Sequence, residues 1–216
     1  LAAGFLGGLI SSTATTAATA RASRAAGTAG AGSTALPQLV IQIASAVVFG
    51  RILILCAVAA PDQFTRIASL PLAMLAIMTV VAVAIGWRTR RYPVAPPPAS
   101  NPAELRMALT FAALFVLVLL AVAAAKERFG NSGLYAVAVL SGLTDMDAIT
   151  LSTAQLANRG ELDGRMAGRV ILIAALANLV FKAGTVAMLG SRGLARQVGL
   201  LFGSAVIAGV ALLVAL

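Results

Sequence analysis

The sequence contains no histidine. That absence removes the usual proton relay near neutral pH and the commonest transition-metal ligand. It also removes every Ser-His-Asp arrangement for nucleophilic catalysis. The single cysteine, Cys56, excludes an internal disulfide and, inside an apolar run, reads as packing. Charged residues are only 11% of the 216, where a soluble domain carries about a quarter, so a water-covered surface is excluded. Aromatics are 5%, with no aromatic-plus-basic stripe of the kind that grips nucleic acid. Neither a Gly-x-Ser-x-Gly elbow, a Walker-type loop nor a Rossmann fingerprint is present, and no enzyme is expected.

What fills the chain is apolar. Hydrophobic residues make up 60%, and the mean hydropathy is +0.98. A membrane span needs about 20 mostly apolar residues, and seven stretches qualify, at roughly 1–22, 37–60, 67–87, 104–125, 132–157, 168–190 and 195–216. The composition predicts an all-α integral membrane protein whose first partner is the lipid bilayer. The net charge of +9 sits in short loops between these runs, which points to topology and lipid headgroups rather than to nucleic acid. Loops after the first, third and fifth stretches hold nine basic residues against five in the other set. The positive-inside rule then places the first set, and the C-terminus, in the cytoplasm. Consecutive prolines at 96–98 follow Arg88, Arg90 and Arg91 and cannot continue a helix. An Arg/Pro-rich linker at 88–102 therefore separates residues 1–87 from residues 103–216.

The two halves share a motif. Residues 8–20 align with 142–154 at an offset of 134, with six of 13 positions identical, including Gly8/Gly142, Thr16/Thr150 and Thr19/Thr153. The repeat predicts an internal duplication. Because a stretch precedes the second copy and none precedes the first, the expectation is four plus four helices with the first missing, in a chain cut from a longer protein.

Only the second copy is acidic. Asp145 and Asp147 are carboxylates at membrane depth, a position that is costly unless it is used. Two residues apart on one helix they would point about 200° apart, so both reach one site only if the helix is discontinuous. Ser141-Gly142-Leu143-Thr144 is a plausible break, with Thr144 as an N-cap and Asp147 at the third helical position. Two readings follow: the acids line an ion site, or they merely cap a half-helix and offset its positive end. Ser11, Ser12 and Thr13 align with residues 145–147. Facing Asp145 and Asp147, they would complete an oxygen-rich set suited to a hard cation; alternatively these small residues let helices pack closely, with Gly4, Gly7 and Gly8. Arg51 and Lys182 place one cation in the middle of a span in each half, and Asn178 shares a helix face with Lys182. Each cation would seek an acid. A Lys–Asp pair could be a proton-coupled switch or a static bridge.

Residues 7–16 (Gly-Gly-Leu-Ile-Ser-Ser-Thr-Ala-Thr-Thr) and 142–152 (Gly-Leu-Thr-Asp-Met-Asp-Ala-Ile-Thr-Leu-Ser), with Asn178 and Lys182, resemble the C-terminal membrane domain of unknown function in MgtC/SapB-type bacterial proteins. The resemblance covers essentially the whole chain. It implies a bacterial inner membrane and an MgtC-like N-terminal membrane domain in the same full-length protein. The link of MgtC to magnesium homeostasis belongs to that other domain. Two functions are expected from the residues. One is a secondary transporter or channel for a small, divalent cation, bound by Asp145 and Asp147 with help from Thr144, Ser11, Ser12, Thr13 and Asn178, and with Lys182 and Arg51 as charge partners; beyond that cation, no cofactor is expected. The other is a non-transporting module that docks or regulates another membrane protein through small-residue helix faces, or assembles as a homo-oligomer.

Overall fold

The computed structural model describes residues 2–26, 34–89, 134–144 and 146–215. The expected fourth span at 104–125, the linker beyond Thr89, and Asp145 lie outside the described residues. The elements are α1 (Ala2–Ala25), α2 (Ala35–Ala59), a 3-10 turn (Pro61–Gln63), α3 (Phe64–Thr89), α4 (Leu134–Thr144), α5 (Met146–Asn158), α6 (Gly164–Leu189) and α7 (Arg192–Ala215). Among the described residues every regular element is helical.

Local chemistry sets the helix ends. Pro61 excludes the residue before it from helical backbone, and Ala60, at φ −144° and ψ 63°, ends α2. Gly160, at φ 76°, closes α5 in a left-handed turn, where Gly160 N–H donates to Ala157 and Glu161 N–H to Leu156. The Asp163 carboxylate accepts from the backbone N–H groups of Arg165 and Met166 and starts α6.

Four segments are long and apolar enough to cross a membrane: α2, Pro61–Thr89, α6 and α7, with mean hydropathy of 2.0 to 2.5 in their most apolar stretches. They correspond to four of the seven expected spans. The other described candidates differ for physical reasons. α1 is rich in Gly, Ser and Thr and falls short in hydropathy, and the described residues of the expected span at 132–157 form the short helices α4 and α5. Exposed apolar side chains such as Ile54, Val58, Leu200 and Ile207 cover the outer faces of α2 and α7, as a lipid-facing surface requires.

α6 is the central helix and packs against α1, α3, α4, α5 and α7, while α2 packs against α1, α3, α5 and α7. Glycines set the closest approaches. A Cβ on Gly8 would lie 2.9 Å from Ala44 Cα, and one on Gly142 would overlap the backbone carbonyl of Ala174. The aligned glycines of the two motifs thus each seat a motif helix on a long apolar one, α1 on α2 and α4 on α6. Pro71 inside α3 lacks the N–H that would pair with the Ile67 carbonyl. Gly168 of α6 packs onto that carbonyl, where a Cβ would stand 2.8 Å away.

Candidate functional site

The first motif helix, α1, is interrupted. In α1 the backbone leaves helical geometry at Ser11, with φ −160° and ψ 105°. Ser11 caps the helix that resumes after it: its Oγ accepts from Ala14 N–H at 3.2 Å. Thr15 and Thr16 donate back to the carbonyls of Ser11 and Ser12, each at 2.8 Å. In the second copy the described helices are α4, through Thr144, and α5, from Met146. Residues 141–144, where the sequence places a break, are helical in α4, and Asp147 is the second described residue of α5.

An interruption strips preceding carbonyls of their intrahelical donors, and at membrane depth they need others. In each motif copy such a donor comes from the neighbouring long helix. Arg51 Nη1 of α2 donates to the carbonyls of Gly8 and Leu9 at 3.4 and 3.3 Å. Asn178 Nδ2 of α6 donates to Gly142 at 2.8 Å. Gly8 and Gly142 are the same motif position, so two different side chains serve equivalent carbonyls.

The break in α1 and the start of α5 border a cavity of about 160 Å³ lined by Ile10, Ser11, Ser12, Thr13, Val48, Arg51, Met146, Asp147 and Asn178. Arg51 Nη2 donates to Asp147 Oδ2 across it, in an ion pair whose side chains are 26% and 37% exposed. Asp147 also lies in the first turn of α5, where the helix dipole favours an anion. The fold therefore brings together six of the expected residues: Ser11, Ser12, Thr13, Asp147, Asn178 and Arg51. Lys182 stands one turn beyond Asn178, is 0% exposed, and donates to Ser45 Oγ of α2 at 3.3 Å. Asp145 lies outside the described residues. Among those described, no group of three or more His, Cys, Asp or Glu side chains gathers around one point. The oxygen atoms at hand are one carboxylate, three hydroxyls, an amide and the carbonyls at the breaks.

Sequence reasoning missed Ser45 and underrated Arg51. Ser45 is one small hydroxyl in an apolar span, and only tertiary packing reveals its task. The role of Arg51 as a carbonyl donor leaves no trace in a sequence, because its acceptors are main-chain atoms. The small-residue faces expected to serve docking are used within the chain: Gly4 and Gly8 meet α2, Gly7 meets Thr15 of its own bent helix, and Gly142 meets α6. Asp163, expected to be merely solvated, is the cap of α6, and its carboxyl is held below the usual carboxylate value of 3.8, mostly by the Met166 N–H.

A family model described as a domain of unknown function, DUF4010, matches residues 1–190. The chain is also similar to an uncharacterized protein of Aquifex aeolicus (strain VF5), 37% identical over 94 residues, which are 44% of this chain and 41% of that one. The chain thus aligns with less than half the length of that relative. No solved structure matches it.

Proposed function

Since the chain belongs to the DUF4010 family of domains of unknown function, its activity has to come from its site, and we propose that it is a membrane transport protein for a small, divalent cation. The observation that carries this reading is the polar cavity beside the interruption in α1 and the start of α5, with Asp147, three hydroxyls and Asn178 on its wall. Interrupted helices in a bilayer are tolerated where they line a cavity, and their ends supply partial charges and free carbonyls for an ion. Carboxylate, hydroxyl and carbonyl oxygens suit a hard cation. In this mechanism the arriving cation takes the Asp147 carboxylate from Arg51. Arg51 is not stranded, because its other nitrogen already has the carbonyls of Gly8 and Leu9. The ion pair then acts as a gate that is shut when the site is empty.

The matching glycine seats at Gly8 and Gly142 support descent from a duplicated unit. The same reading places the protein in a bacterial inner membrane with a cytoplasmic C-terminus, behind an MgtC-like domain. Purified protein in liposomes, assayed for Mg²⁺ and Mn²⁺ uptake, tests it. Uptake that is saturable and lost in Asp147→Asn supports it, and uptake no faster than in empty liposomes refutes it.

A second reading is favoured by the ion pair itself. Arg51 and Asp147 already satisfy one another, as a static bridge closing a non-transporting module would. Under that reading neutralising the pair lowers stability and leaves flux at background in every variant.

A further inference from the structure

The cation site leaves one charged group unused. Lys182 is completely enclosed, 0% exposed, and its Nζ donates to a neutral hydroxyl, Ser45 Oγ, at 3.3 Å. From α2 it faces a second positive group, Arg51, and from α5 comes Asp147, which is bridged to Arg51. α4 carries no charged residue, and the charged residues of α1, α3 and α7 lie in the first or last two turns of those helices. The thiol of Cys56 is about three turns along α2 from Ser45. A cation entering beside Arg51 therefore adds positive charge next to a fully enclosed ammonium that already faces a guanidinium. Arginine cannot shed a proton in a protein, whereas a buried lysine can.

Resting on the cation reading above, we propose that cation binding expels the ammonium proton of Lys182, so that the protein exchanges protons for the cation it carries. The step balances simply. One N–H bond of the Lys182 ammonium breaks, the electron pair stays on Nζ, the proton leaves to water, and the cation supplies the positive charge that has gone. Ser45 suits both states, because a hydroxyl accepts from the ammonium and donates to the neutral amine. A carboxylate in its place would hold the proton on. When the cation departs, a proton returns to Nζ and Arg51 returns to Asp147.

Mn²⁺ binding to the purified full chain, measured by calorimetry in weak buffer with a pH indicator present, tests this. We expect about one proton released per Mn²⁺ bound, and a Kd that falls about tenfold for each unit rise in pH while Lys182 is charged. Lys182→Gln should bind Mn²⁺ with a Kd independent of pH and release no proton. Lys182→Arg, which keeps the charge permanently, should bind at least about tenfold more weakly. Mn²⁺ binding by the wild type without proton release would overturn the exchange and leave the cation site standing, as would undiminished release from Lys182→Gln. No Mn²⁺ binding by the wild type would overturn both. The wild-type measurement decides the matter even if a variant fails to fold.

Discussion

Arg51 and Asp147, 96 residues apart in the chain, bind one another on the wall of a cavity beside the interrupted helix α1, and the same guanidinium also covers the carbonyls of Gly8 and Leu9. One side chain thus ties α1, α2 and α5 together. Its two tasks are separable, and they give unequal weight to the partners of the pair.

Removing Asp147 leaves Arg51 with its carbonyls, whereas removing Arg51 leaves both a carboxylate and two carbonyls without it. Arg51→Gln should therefore destabilise more than Asp147→Asn. A double-mutant cycle should give a coupling of about 1 kcal/mol, between the values for exposed and buried pairs, since both side chains are partly exposed. Unfolding titrations in mixed micelles measure it, and equal losses from the two single variants would contradict the separation of roles.

The glycine seats can be checked by adding one carbon. Gly142→Ala places a Cβ against the Ala174 carbonyl, a backbone atom that cannot swing aside. A loss of about 1–3 kcal/mol is expected. Gly184→Ala, on an open face of the same central helix where a Cβ meets nothing within 4 Å, should be neutral or slightly stabilising. Thermal melts of the two variants side by side separate a packing effect from general intolerance to substitution.

Asn178→Leu keeps the side-chain size and withdraws the donor from Gly142, leaving that carbonyl bare. About 1–3 kcal/mol should be lost, and backbone amides at the end of α4 should exchange faster. Unchanged hydrogen exchange there would show that the bond from Asn178 is not what holds that end.

The cap of α6 should make stability depend on acid. The Asp163 carboxyl is held below its usual value of 3.8 by backbone N–H groups, so its stabilising effect is complete above that value and is lost as the pH falls through the lower, folded-state value. Asp163→Ala should melt earlier than the wild type at pH 7, and the two melting temperatures should converge as the pH drops well below 3.8. A difference that persists into strong acid would mean that the side chain acts through packing rather than charge.

Much of this could be read from residues alone. The apolar runs located α2, α3, α6 and α7. The break at Ser11 has no local signal, because Ser and Thr are unremarkable within a Gly-rich helix. The partner choice was beyond the sequence. Arg51 and Lys182 look alike as charges in the middle of a span, yet the described bridge to Asp147 comes from Arg51, while Lys182 turns to Ser45. What separates them is the lateral packing of α2 against both α1 and α5, a tertiary fact without a local signature. The gathering of Ser11, Ser12, Thr13 and Asn178 on one cavity wall follows from the same packing.

The central claim is that Asp147 belongs to a transport site rather than to a helix cap. The most direct test is initial-rate uptake of Mn²⁺ into liposomes holding equal amounts of folded wild-type, Asp147→Asn and Asp163→Ala protein. We expect saturable uptake by the wild type, at least about a tenfold loss in Asp147→Asn, and a near-normal rate in Asp163→Ala, which removes a cap at a solvated loop. Equal uptake by wild type and Asp147→Asn, or uptake by neither above empty liposomes, would contradict it.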